Sequence, residues 1–133
     1  DYNQALKQYG DTQTELDLTK GELEAANATI ADQQTEIART HKMNIAYKFL
    51  VDVSSARAAL EKQDTATARQ AINFARADLA ELKATDIEPA SLSGFAEKLD
   101  DADKNLNIAG ITRARTALDS LYANLLLLVD NLP

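Results

Sequence analysis

Tyr2, Tyr9, Leu16, Leu23, Ile30 and Ile37 recur at every seventh position. That interval is the a-position repeat of an α-helix that presents one apolar stripe to a partner helix. The matching d positions, Ala5, Thr12, Thr19, Ala26, Gln33 and Thr40, are small or polar. The opposite register would place Gln13, Lys20, Asn27, Gln34 and His41 on the seam, which is worse. A lone helix this polar is marginal in water, and Gly10 and Gly21 each cost it about 1 kcal/mol relative to Ala. The spacing therefore predicts a coiled-coil stalk over residues 1–43 that associates with further copies of itself through Tyr2, Tyr9, Leu16, Leu23, Ile30 and Ile37. Small d residues suit close two-stranded packing, so a homodimer is expected, with a trimer as the alternative. Spacing alone leaves the strand orientation open.

Beyond residue 43 the rhythm changes. Ala46, Phe49, Val53, Ala56 and Leu60 follow the three-four spacing of one buried helical stripe. Lys62 to Thr65 reads as a turn, with Asp64 as the N-cap of the next helix. Ala68, Ile72, Ala75, Leu79 and Leu82 form the second stripe, which Thr85 to Pro89 interrupts. Pro89 is expected in the first turn of a third helix, whose stripe is Leu92, Phe95, Leu99, Ala102 and Leu106. After a turn at Asn107 to Gly110 the fourth stripe runs through Ile111, Ala114, Leu118, Leu121, Leu125 and Leu128. Four stripes joined by short turns predict an antiparallel four-helix bundle over residues 44–133.

The bundle carries an internal repeat. A shift of 46 residues lays Phe49 on Phe95, Val53 on Leu99, Leu60 on Leu106, Ile72 on Leu118 and Leu79 on Leu125 without a gap. The two turns coincide as well, with Asp64 over Gly110. The expected fold class is all-α: a long N-terminal coiled-coil helix running into two copies of one αα-hairpin, residues 46–87 and 92–133, neither able to bury its stripe alone.

Composition narrows the chemistry. With 14 basic and 21 acidic residues the net charge is −7, and more than half of it lies in residues 1–43. Such a chain lacks the cations that displace phosphate counterions, so no nucleic acid is expected as a partner. Anionic membrane surfaces repel it. Cys is absent and His41 is the sole histidine, which removes thiolate chemistry and multi-histidine metal sites. His41 lies where the heptad gives way to the bundle pattern and reads as an exposed helical residue. Asp101, Asp103 and Asn105 have the start of a calcium-loop spacing, but Leu106 and Thr112 stand where Gly and Glu are required. The four stripes contain no carboxylate, against a carboxylate-bridged metal centre. No catalytic, cofactor-binding or metal residue is assigned, and no cofactor is expected; the chain reads as a non-enzyme. Arg69 and Arg115, equivalent under the repeat, together with Tyr47 and Tyr122 beside the stripes, are the candidate contacts for an anion or small ligand.

The hairpin Ala56-Arg57-Ala58-Ala59-Leu60, through Asp64 to Ala68, then Ala75 to Leu82, following a polar coiled coil, resembles the extracytoplasmic part of HemX-type bacterial proteins. The resemblance spans about residues 16–106. It implies a tethered, non-enzymatic helical protein, with no catalytic residue to carry over. The first residue is Asp1 rather than Met, so membrane contact is expected only through an anchor upstream of residue 1, and an extracytoplasmic location ahead of a cytoplasmic one. Together these readings predict a structural or interaction module. It self-associates through the stalk and displays the bundle to an unidentified protein partner. The alternative is a ligand-binding, sensor-type four-helix bundle.

Overall fold

A computed structural model describes residues 1–132. It is 86% helical, with four α-helices, α1 (Tyr2–Glu61), α2 (Thr65–Lys83), α3 (Phe95–Lys104) and α4 (Ile111–Asn131), and one short 3-10 helix (Pro89–Leu92). No strand occurs among the described residues, and none of the helices described is long and apolar enough to cross a membrane. The fold is the all-α bundle that the stripes predict. Two compact units are present, one from Asp1 to Ala38 and one from Arg39 onward.

In the first unit every residue is exposed. Asp1 caps the helix, its Oδ1 accepting from the Asn3 amide at 3.2 Å and its carbonyl from the Ala5 amide. Thr14, Thr19, Thr29 and Thr35 each donate their hydroxyl to the carbonyl four residues back. That local bond keeps threonine hydroxyls satisfied on a helix without a neighbour.

The second unit holds the core. All five first-stripe residues, Ala46 to Leu60, are buried, as are all five of the second and all five of the third. The fourth is buried from Ala114 to Leu128, with Ile111 half-buried at its start. Phe49 and Phe95, equivalent under the 46-residue shift, meet edge to face with ring centroids 6.0 Å apart, a favoured aromatic geometry. The repeat in sequence is thus a repeat in packing: the two hairpins put the same ring at their common centre.

The first turn is a shared corner. Gln63 takes a left-handed backbone, φ 57°. The Gln63 amide donates to the Leu60 carbonyl and the Asp64 amide to Ala59. These two bonds close α1 in the pattern usually built with glycine. Asp64 then opens α2, its carboxylate accepting from the Thr67 amide at 3.0 Å and the Thr67 hydroxyl at 2.6 Å. These Thr67 bonds hold the Asp64 carboxyl below its ordinary value.

One element departs from expectation. Pro89 does not begin the third α-helix; it begins the 3-10 helix. Ser93 is extended, with ψ 134°, and Gly94 follows at φ 83°. That pair cannot continue a helix, and the left-handed step is one that glycine makes freely. α3 therefore starts only at Phe95 and is 10 residues long. Leu92 still reaches the core, from the 3-10 turn rather than from the helix. At the other turn Gly110 has no room for a side chain: a Cβ there would lie 2.8 Å from the Asn105 carbonyl oxygen.

Candidate functional site

Several places among the described residues carry polar chemistry or unpartnered apolar surface. The first is the heptad stripe of α1. Tyr2, Tyr9, Leu16, Leu23, Ile30 and Ile37 are all between 46% and 77% exposed. Leu6 and Leu18 are exposed beside them. Single exposed leucines need no explanation, but a ladder of six at constant interval on one helix does.

The second is a buried carboxylate. Asp78, on α2, is only 2% exposed. It sits at the three-four spacing between Ala75 and Leu82, on the second stripe, so that stripe does contain a carboxylate, contrary to the expectation from sequence. Its Oδ1 lies 3.4 Å from Lys48 Nζ on α1. Lys48 also binds Glu81 Oε1 at 3.1 Å, and that bond chiefly raises the lysine above its ordinary value. Asp78 Oδ2 is buried with no hydrogen-bond partner among the described residues. Burial, and then the neighbouring Asp52 carboxyl, push Asp78 up to about 7. Two facing carboxylates have no donor between them, whereas a proton held by Asp78 supplies one. Near neutral pH this side chain is therefore poised between its acid and its ionised form.

The third is a groove of about 430 Å³ lined by Tyr47, Leu50, Val51, Ser54, Ser55 and Ala58 of α1 and by Tyr122 of α4. Arg57 lies over the Tyr122 ring, 4.4 Å from its centroid, and its Nε donates to Asp119 Oδ1 at 2.8 Å. Under the 46-residue shift, Arg57, Asp119 and Tyr122 correspond to Asp103, Asn73 and Arg76. Those three also meet: Arg76 binds Asn73 Oδ1 at 3.2 Å and Asp103 Oδ2 at 3.2 Å. The two hairpins therefore build a three-residue junction around one arginine at equivalent positions, with the arginine at the Arg57 position in one and at the Tyr122 position in the other. A smaller groove lies beside the second junction, lined by Arg76, Ala96 and Asp100, which answer Tyr122, Leu50 and Ser54 of the first.

The fourth is an open cavity of about 680 Å³ where the two hairpin turns meet, lined by Gln63 and Thr65 of one and Asn107, Ile108, Ala109 and Ile111 of the other. Ile108 is 96% exposed at its rim.

The four candidate ligand contacts fall in different surroundings. Arg69 Nε pairs with Asp103 Oδ1 at 3.1 Å. Arg115 Nη2 donates to the Leu60 carbonyl at 3.0 Å, completing the end of α1, whose last carbonyls have no partner within the helix. Tyr47 and Tyr122 line one groove. The acidic run of α3 faces arginines: Asp100 binds Arg76 at 2.9 Å and Asp101 binds Arg113 at 3.3 Å. Asn105 donates to the Asp101 carbonyl at 2.7 Å. His41 is exposed on α1.

Sequence reasoning missed Asp78, and a signal for it was present. Asp78 follows Ala75 by three and precedes Leu82 by four, which is the spacing of the stripe itself. Lys48 and Asp52, one turn apart on α1, are the complementary pair that such a buried carboxyl needs. Against family models, curated proteins and solved structures, the chain gives no match.

Proposed function

We propose that this chain is a non-enzymatic structural or interaction module: it associates with further copies of itself through the N-terminal heptad of α1 and displays the helical bundle for protein–protein contact. The observation that carries this reading is the ladder Tyr2, Tyr9, Leu16, Leu23, Ile30 and Ile37, apolar at a constant interval and exposed throughout. A helix of this polarity gains most by covering that stripe with another of its kind. The resemblance to HemX-type proteins adds display from a tether to the same reading. The ligand-binding alternative has less to draw on, because Arg69 and Arg115 are both engaged within the bundle.

Light scattering of the full chain tests the proposal. The expected mass is twice the 14.5 kDa of one chain, falling to one chain in the double variant Leu23→Asp, Ile30→Asp, with helical content of the bundle retained. A monomeric unsubstituted chain at micromolar concentration refutes it.

A further inference from the structure

We infer that the partner of α1 is a second copy of this chain lying parallel and in register, and that their seam continues past the stalk to Ala58. The inference rests on the self-association just proposed and specifies its geometry.

The first observation is the register. Counting sevens onward from Tyr2, the a positions after Ile37 are Asn44, Val51 and Ala58, and the d positions are Tyr47 and Ser54. The bundle core does not use them. What α1 gives the core, such as Phe49, Val53, Ala56 and Leu60, falls at other heptad positions. Tyr47 and Val51 are instead 50% and 61% exposed. Within the second unit α1 thus carries its core stripe and, on another face, a line in which Tyr47, Val51 and Ala58 are exposed and Asn44 and Ser54 are polar. From Tyr47 onward that line forms the floor of the Tyr47–Tyr122 groove. Ser54 and Ala58 are small there, as the d residues Ala5, Thr12, Thr19 and Ala26 are small earlier, so a second helix backbone can approach closely at these positions, with Gln33 and Tyr47 as the larger d residues between them.

The second observation is charge. In the stalk the g positions hold Asp1, Glu15, Glu22 and Glu36 and no cation; beyond it they hold Met43, Leu50 and, at the end of the seam, Arg57. The e positions hold Lys20, His41 and Lys48 and no carboxylate. In a parallel in-register pair each g side chain meets the e side chain five residues on in the other copy. That brings Glu15 to Lys20 of the second copy and Glu36 to His41 of the second copy. An antiparallel pair sets g against g and e against e, placing the acidic flank on itself. Flank charges select orientation and partner in this way, and here they select the parallel arrangement.

Because the protein has no cysteine, single cysteines in the full chain report on this directly. Leu16→Cys and Val51→Cys place a thiol on each part of the seam, at exposed sites that leave the core intact. Asp32→Cys and Ala80→Cys are exposed controls off the seam. In a parallel register, like a positions face each other within the reach of a disulfide, which fails beyond about 7 Å between Cα atoms. Under mild oxidation both seam variants are expected to form covalent dimers about tenfold faster than the controls, as tethered thiols do. Rapid dimers from Leu16→Cys alone would overturn the extension to Ala58. Slow dimers from both, with light scattering still giving two chains, would overturn the parallel register while self-association stands. Slow dimers with a one-chain mass would overturn the inference together with the function it rests on.

Discussion

α1 passes through two regions that treat the same kind of helix differently. From Asp1 to Ala38 it buries nothing. From Ile45 to Leu60 it supplies eight core residues. The first segment is rich in Ala, Gln and Glu and the second in Ala, Leu, Val and Ser, yet both are helical, so propensity does not decide which is buried. The spacing of apolar residues does. One per seven residues gives a thin seam that only another helix can cover, whereas three or four per two turns give a face wide enough for a core. A long helix is therefore no measure of how much fold it contributes.

The widest test of that contrast is a pair of truncations. Phe49→Ala removes the ring packed on Phe95 and is expected to cost about 3–5 kcal/mol in urea unfolding. Leu23→Ala, measured on dilute single chains, is expected to cost under about 0.5 kcal/mol, as an exposed substitution does. Equal losses at the two sites would mean that residues 1–38 share the folding cooperativity of the bundle.

The next effect is confined to the bundle and depends on pH. Asp78 is raised from its ordinary 3.8 to about 7, so the folded chain holds this proton more tightly than the unfolded chain does. Its stabilising contribution is fully present below about pH 4 and is lost as pH rises through about 7. Asp78→Asn keeps a neutral donor toward Asp52 at every pH. It is expected to flatten stability between those values and to gain on the order of 1–3 kcal/mol over the unsubstituted chain at about pH 8. Thermal unfolding across that range checks it, and an unchanged slope would show that Asp78 is not the group responsible. Asp64 and Asp86, both held low by their partners Thr67 and Lys42, act in the opposite sense at the acid end.

The smallest expected effect is at the corner of the first hairpin. Gln63→Gly relieves a left-handed backbone that costs a residue with a Cβ about 1–2 kcal/mol. Part of that gain is returned through glycine's freedom in the unfolded chain. The net expectation is a stabilisation of about 0.5–1 kcal/mol, seen as a higher midpoint in thermal melts; a lower midpoint would show that the Gln63 side chain supports the turn.

Much of this architecture is legible in the residues. The stripes of all four helices, the 46-residue repeat and the Asp64 cap come from spacing and cap chemistry, because burial on a helix is periodic and caps are local. Pro89 misleads for a physical reason: its fixed φ suits a 3-10 turn as well as an α-helix, and only the Ser93-Gly94 pair decides between them. Asp78 is lost when a stripe is read by residue type, since its burial depends on Lys48 and Asp52 of another helix. The exposure of Val51 on α1 escapes notice because the denser core pattern that begins at Ala46 surrounds it with residues that are buried.

At the first corner one residue, Asp64, serves two helices. Its amide seals the last turn of α1 and its carboxylate fastens the first turn of α2. Neither helix can fray at this corner without loosening the other, so an opening begun on one arm of the hairpin is handed across to its mate. One inserted residue would break the seal or the fastening. The linkage leaves the chain no slack there, and the corner behaves as a clasp that is either shut or open.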